Sequence, residues 1–407
     1  MLLDSYRILD FANHRGQLCG KILADMGGDV VKIEPPGGDP VRRKGPFLHD
    51  DPHPEKSLYW FAHNTNKRSV TLDIAKEDGK RLLLEMVKNA KFLIESFSPD
   101  YLEDLGLSYA SLSVVNPSLV MVSITPFGRT GPYRHFKDSD SINMGMGGQM
   151  VLCGDPDRPP LCFTVEQSYC LAGMYAALAA LAAHVYRERT GKGQHIDVSI
   201  QESVVLTTFN LHPFWELQGI SLRREGPRSM RGELTFRSCW KCRDGYISWR
   251  LFTGSWGRWT RALVDLMKEE GEAGDLANVP WEEIDMNMMS QEQINRFEAA
   301  FGDFFLQHTK RELFERALRG ELPLFPVNTT VDLLEDEQLE ARGFWREVEY
   351  PELGLSISHP GPAFQPSEEA CFIRRPPRIG EHNREIYTDE LGLSSEALVI
   401  LKGTGVI

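Results

Sequence analysis

The sequence predicts an α/β fold, a parallel, doubly wound sheet interrupted by a small α+β domain. Three observations carry this expectation. In the first 200 or so residues, short apolar runs alternate with segments of helical period, and strand–helix–strand alternation implies a parallel sheet. From Met230 to about Gly320 the pattern changes to a hairpin followed by acidic, Met- and Glu-rich helices. The length, 407 residues, is that of two or three domains at roughly 100–200 residues each. It is enough chain to bury a sizeable core.

The elements follow in order. Tyr6–Phe11 is a short apolar run and predicts a strand. Gly16–Met26 carries Leu18, Ile22, Leu23 and Met26 at helical spacing, and Gly27-Gly28 stops it. Asp29–Ile33 and Val70–Ile74 predict the second and third strands. Gly79–Lys88 groups Leu82, Leu83, Met86 and Val87 on one face of a helix. Phe92–Ile94 and Leu119–Thr125 add two strands. Ala172–Tyr186 is an Ala-rich helix stopped at Thr190-Gly-Lys-Gly193, and His195–Ser199 is the next strand. In the inserted part, Phe236–Cys239 and Tyr246–Trp249 flank Asp244-Gly245 as a hairpin. Helices are expected at Trp256–Glu270, Gln291–Gln307 and Lys310–Arg319. The pattern at Trp345–Tyr350 returns the chain to the first domain, and Pro360–Pro366 and Arg374–Pro377 read as extended crossings.

Composition excludes several classes. The chain has 45 Lys and Arg against 58 Asp and Glu, a formal net charge of −13. That balance argues against a nucleic-acid protein, though a local basic pocket for an anion stays open. Apolar residues are 42% and charged residues 25%, ordinary for a globular protein. No basic segment followed by an apolar one opens the sequence, so no signal peptide is expected. The longest apolar stretch, Leu171–Ala183, contains Gly173 and is too short to span a bilayer. Seven Cys lie scattered at 19, 153, 162, 170, 239, 242 and 371, which fits reduced thiols in the cytoplasm. Cys239-Trp-Lys-Cys242 is a lone CxxC without a second pair, so no metal site is expected. No GxGxxG, P-loop, GxSxG or HExxH motif informs the function.

Longer phrases do. They are Leu23-Ala-Asp-Met-Gly-Gly-Asp-Val-Val-Lys-Ile-Glu-Pro-Pro-Gly-Gly-Asp39, Asn64-Thr-Asn-Lys-Arg-Ser-Val-Thr-Leu-Asp73 and Ser123-Ile-Thr-Pro-Phe-Gly128 with Gly131-Pro-Tyr133. Arg187-Glu-Arg-Thr-Gly-Lys-Gly-Gln194, Pro326-Val-Asn328, Ala341-Arg-Gly-Phe344 and Gly380-Glu-His-Asn383 follow. In order and spacing together they resemble the family III CoA-transferases, of the CaiB/BaiF type, over nearly the whole chain. The resemblance implies a Rossmann-like large domain from 1–225 and 325–407, a small domain at 226–324, and an interlocked dimer. It also implies chemistry. An Asp carboxylate attacks an acyl-CoA thioester to give a mixed anhydride, and the CoA thiolate then attacks the enzyme carbonyl. The acceptor acid runs these steps in reverse, with backbone N–H groups as oxyanion donors. CoA thioesters are then substrates, and no permanently bound cofactor is implied.

Against that pattern, the expected Asp is missing. It lies four residues before the Gly opening the Ala-rich helix, and with Gly173 as that Gly the position is Tyr169. A phenol with pKa near 10 cannot form an acyl anhydride. Glu166, three residues off register, is the nearest carboxylate; its bland alternative is a solvated or capping acid. The resemblance makes Gln17, Lys32, Glu34, Arg42, Lys67, Leu72, Ser96, Phe97 and Lys137 the CoA-site positions. Of these, Ser96 stands where the family has Asn, while Ser98 and Asp104 replace Arg. Lys67 and Lys137 also read as surface ion pairs, and Leu72 as core.

Loss of the Asp predicts no catalytic residue in this chain and a homologous, Asp-bearing partner subunit in a heterodimer or heterotetramer. Such an arrangement exists in the family for succinyl-CoA and benzylsuccinate, in anaerobic toluene breakdown, and the chain looks like its Asp-lacking subunit. Three alternatives stay open: a stand-alone transferase using Glu166, a 2-methylacyl-CoA racemase, and a binding module outside any active site. The racemase His would fall in Ser139-Asp-Ser-Ile-Asn143, where this chain has Asp140. Neither nucleic acid nor membrane is expected as a partner.

Overall fold

The computed structural model describes residues 2–4, 6–367 and 373–407, so Cys371 lies outside the described residues. The chain divides into two compact units. The larger comprises residues up to 150, 162–220 and 337–407; the smaller comprises 151–161 and 221–336. The smaller unit is therefore wider than the 226–324 expected. Hydrogen bonding accounts for both extensions. The Arg224 guanidinium donates to the carbonyls of Asp155 and Arg158, and Phe325–Pro326 pairs with the strand Gly245–Ser248.

In the larger unit, strands β1 (Arg7–Asp10), β2 (Asp29–Glu34), β3 (Arg68–Thr71), β4 (Phe92–Glu95), β5 (Val120–Thr125) and β6 (Gln194–Ser199) form one sheet. Its order is β3-β2-β1-β4-β5-β6 and every pairing is parallel. That is the doubly wound order. Period-2 alternation feeds two cores. Leu9, Val31, Val70 and Met121 face one, and Ile8, Val30, Val120 and Val122 face the other. β3 stops before Leu72, three residues short of the expected Ile74.

Helices α1 (Gln17–Asp25), α2 (Glu77–Asn89), α3 (Asp140–Met146), α4 (Gln167–Thr190) and α5 (Leu211–Gln218) belong to this unit. α2 covers the first core with Leu82, Leu83, Met86 and Val87, while α1 and α4 cover the second. α4 begins five residues before the predicted Ala172, so Gly173 lies inside it rather than opening it. A Cβ at Gly173 would come within 2.9 Å of the Leu18 Cβ and 3.2 Å of the Cys19 nitrogen, so glycine lets α1 and α4 touch. By length and composition α4 could cross a bilayer, alone among the described helices. Its Ala172, Ala176, Ala180 and Ala183 are buried in the second core.

The smaller unit has its own core around Trp240, Trp249, Trp281, Phe301, Phe304 and Phe305. A hairpin, β7 (Arg228–Arg231) with β8 (Leu234–Arg237), precedes a three-stranded antiparallel sheet. That sheet comprises β9 (Cys239–Cys242), β10 (Gly245–Ser248) and β11 (Phe325–Pro326). Phe236 thus sits in the first hairpin, not in the one predicted around Asp244-Gly245. Helices α6 (Gly257–Glu269), α7 (Gln291–Leu306) and α8 (Lys310–Arg319) follow. Capping boxes at Ser290/Gln293 and Thr309/Glu312 start α7 and α8. Cys239 and Cys242 are three apart on one strand, so their side chains point to opposite faces and cannot pair or share a metal.

Back in the larger unit, β12 (Trp345–Tyr350) and β13 (Leu355–Pro360) make a hairpin. The chain then covers the sheet edge. The Thr71 nitrogen donates to Asn383 Oδ1, the His382 nitrogen donates to the Ser69 carbonyl, and the Tyr387 hydroxyl donates to the Thr71 carbonyl. These bonds satisfy β3, which would otherwise be an open edge. Helix α9 (Ser395–Gly403) ends the chain against the first core through Leu401.

Candidate functional site

β1 has β2 on one side and β4 on the other, so the winding reverses there, and ligands of such sheets bind beyond the carboxyl ends at that point. A cavity of about 260 Å³ opens at this place. Segments after four strands line it: Phe11 and Asn13 follow β1, Pro35 and Asp39 follow β2, Leu72, Asp73 and Ile74 follow β3, and Phe97 and Tyr101 follow β4. Of the expected CoA-site positions, Leu72, Phe97 and Glu34 line it. Leu72 does so because it has left the strand.

Other expected positions are engaged inside the protein. Arg42 is fully buried, holds Glu34 at 2.6 and 2.8 Å, reaches Glu55 and the Pro377 carbonyl, and stacks on Trp60. Lys32 donates to the Ala12 carbonyl and pairs with Asp39 at 3.0 Å. Burial would lower the Lys32 pKa, but Asp39, Asp10 and Glu34 outweigh it and hold the ammonium above its ordinary value. Lys67 spends its three donors on Asp10, the Gln17 carbonyl and Asn64, and burial lowers its pKa despite Asp10. It is not the surface pair that one reading allowed. All three of its donors are thus engaged within the protein. Ser96 accepts from the Asn13 nitrogen and donates to Asn13 Oδ1, tying the loop after β4 to the loop after β1. Gln17 is buried, its Oε1 accepting from Asn64. Lys137 and Asp104 are exposed.

Tyr169 occupies the first turn of α4 and is buried. Its hydroxyl donates to Asp138 Oδ2 at 3.2 Å. Burial, then the Asp138 charge, raises the phenol's pKa further above its ordinary value. Asp138 also accepts from Arg15 Nη2 at 2.5 Å, Arg15 Nε at 3.0 Å and Asn143 Nδ2 at 3.1 Å. Burial opposes its ionisation, but the Arg15 guanidinium prevails and the carboxyl sits below its usual range. The His14 ring packs edge-on against Tyr169, with centroids 5.1 Å apart. Burial, with Arg15, lowers the His14 pKa.

Glu166 stands at the N-cap position of α4 but makes no capping hydrogen bond. Instead Lys44 Nζ donates to Oε1 at 2.5 Å and the Tyr59 hydroxyl to Oε2 at 2.8 Å. Those donors outweigh partial burial and keep Glu166 below the usual carboxyl range. Asp140 supplies the cap, accepting from the Ser168 nitrogen at 2.8 Å and the Ser168 hydroxyl at 2.7 Å. Arg15, Lys44, Tyr59 and Asp138 escaped sequence reasoning. Only Asp138 left a trace, in the acidic pair that it forms with Asp140 after Lys137.

Comparison with known proteins agrees with these observations. The model of CoA-transferase family III matches residues 3–383. A relative from Thauera aromatica, "Succinyl-CoA:(R)-benzylsuccinate CoA-transferase subunit BbsE", is 34% identical over 388 residues, 94% of this chain and 93% of that protein. A succinyl-CoA–D-citramalate CoA-transferase of Chloroflexus aurantiacus is 31% identical over 412 residues, 100% of this chain and 98% of that protein. The crystal structure of a CaiB/BaiF family protein from Brucella suis superposes with a TM-score of 0.82 at 30% identity, covering 95% of this chain and 98% of that one.

Proposed function

Because the chain belongs to CoA-transferase family III, we propose that it is the subunit without the nucleophile in a two-chain transferase. The enzyme would move CoA from an acyl-CoA such as succinyl-CoA to a carboxylic acid of the benzylsuccinate kind. The observation that carries this reading is Tyr169 at the nucleophile's position, with its hydroxyl donating to Asp138. Anhydride formation needs a carboxylate oxygen to attack the thioester carbonyl while the C–S bond breaks and CoA leaves as thiolate. A buried phenol of raised pKa is neither ionised nor able to yield an anhydride. The relative named as a subunit supports the same reading.

The surface supports a partner. α4 exposes Met174, Leu178 and Val185, and Phe209, Trp215 and Leu217 are exposed beyond it in the same unit. Apolar exposure of this extent fits an assembly interface. The proposed partner is a homologous chain bearing the Asp, and the proposed setting is the cytoplasm. In the cavity beside β1, Leu72, Ile74, Phe97 and Tyr101 offer an apolar seat for the ring end of CoA. Its lining holds Glu34, Asp39 and Asp73 and no Lys or Arg, so we expect weak CoA binding by this chain alone.

The test compares purified single chain with chain co-expressed beside an Asp-bearing homologue. Transfer from succinyl-CoA is expected only from the pair. Robust turnover by the single chain, with Glu166 converted to its hydroxamate when hydroxylamine and succinyl-CoA are both present, would favour the stand-alone reading instead. That reading has a cost in the structure: each Glu166 oxygen accepts a hydrogen bond, from Lys44 or Tyr59, which lowers the nucleophilicity of whichever attacks.

A further inference from the structure

The smaller unit contains a cavity of about 490 Å³ whose lining includes none of the expected CoA-site positions. One wall comes from the β strands, with Arg237, Trp240 and Lys241, and the other from α7. On α7 the lining residues include Glu298, Ala299, Gly302 and Asp303, whose spacing of three and four defines one helical face. The opposite face carries Ile294, Phe301 and Phe305 into the core.

Two features distinguish this cavity from ordinary solvated surface. First, charge is divided between its walls. Glu298 is spent on Arg228 at 2.7 Å and on the Arg237 nitrogen at 2.6 Å. Among the described residues, no carboxylate pairs with the Arg237 guanidinium or the Lys241 ammonium. The Arg237 guanidinium lies over the Trp240 ring, 5.3 Å from its centroid. Second, Gly302 lies in the interior of α7, where glycine is destabilising relative to alanine. Packing does not require it, since a Cβ there would meet only the Trp240 ring, at an ordinary 3.6 Å. Ala299 and Gly302 keep the middle of the wall low, whereas a long side chain at 302 would project into the space.

We propose that this cavity binds a small organic dianion, held by the Arg237 guanidinium with Lys241 as the second charge. A planar guanidinium pairs with a carboxylate or phosphate through two parallel hydrogen bonds, and an ammonium serves as a point charge. Exposed Asp303 also lines the α7 wall, and its carboxylate opposes an anion, so two cations on the facing wall are needed to outweigh it. A dicarboxylate and a phosphate ester share this chemistry. Succinate and inorganic phosphate are therefore titrated separately into the full-length chain by calorimetry, at up to about 10 mM.

Saturable binding of either probe, weakened about tenfold by Arg237→Ala or Lys241→Ala and abolished by Gly302→Leu, is the expected result. Arg237→Lys should recover part of the loss. The probe that binds more tightly names the ligand source. Absence of saturable binding for both, or binding indifferent to Arg237→Ala and Lys241→Ala, overturns the proposal. Arg237 and Lys241 are exposed, so these variants keep the fold even if Gly302→Leu does not. Binding by the single chain involves no transfer step, so its failure leaves the reading of Tyr169 untouched.

Discussion

At Tyr169, one substitution carries the functional argument, and it is the easiest to test. Tyr169→Phe removes one hydrogen bond to Asp138, which keeps Arg15 and Asn143. We expect a stability loss of about 1 kcal/mol and activity of the two-chain enzyme within about twofold of the original. Loss of the partner's Asp should abolish transfer; an equal collapse from Tyr169→Phe would mean that the phenol acts in the reaction. Glu95, at the carboxyl end of β4, gives a pH prediction. Burial pushes its carboxyl up to about 7, against the opposing pull of the Phe97 nitrogen on Oε2 and of Arg129, 3.8 Å from Oε1. A carboxyl whose pKa is raised on folding favours the native state below its unfolded value and loses that contribution as pH climbs through the folded one. Stability should therefore decline between pH 5 and 8, by about 3 kcal/mol from this group. Glu95→Gln should flatten that decline, with a higher Tm at pH 8 and little change at pH 5. A Tm profile identical to that of the unsubstituted chain would reject this account.

Among the elements, α4 carries the residue on which the functional reading turns. It contacts α1 through Gly173, receives its cap from Asp140, and presents Tyr169 in its first turn. Alanine is the better helix former by about 1 kcal/mol, yet Gly173→Ala should lower stability. Its Cβ meets Leu18 and the Cys19 backbone, and overpacking costs about 1–3 kcal/mol. Denaturant unfolding measures the sign directly. Asp140→Ala should cost about 1–2 kcal/mol by uncapping the helix. The sequence predicted this helix but began it at Ala172, because the apolar pattern starts there. The true start is fixed by Ser168 and Asp140, which are 28 residues apart. The strands were more legible, since runs buried on both faces are continuous apolar stretches, as in Phe92–Ile94 and Val120–Val122.

For the whole molecule, the exposed apolar face of α4 predicts assembly. Leu178→Glu should reduce recovery of the partner on co-purification while leaving the Tm of the single chain nearly unchanged, because Leu178 is 63% exposed. Unreduced recovery would move the interface elsewhere. The amino-acid sequence by itself determined the strand–helix alternation, the inserted region of different character, the family and the Tyr at 169, where the family resemblance leads one to expect Asp. These are local or ordered properties, readable from period, composition and phrase. Only the tertiary structure decided what the charged residues do. Lys32, Arg42 and Lys67 looked like ligands of a polyanion, and each is engaged by carboxylates and carbonyls that the fold brings to it. Glu166 looked like a cap or a spare nucleophile, and it is bound by Lys44 and Tyr59, more than 100 residues away. A cation's role depends on which acceptors the fold brings within hydrogen-bond reach, and a linear pattern carries no record of those distances.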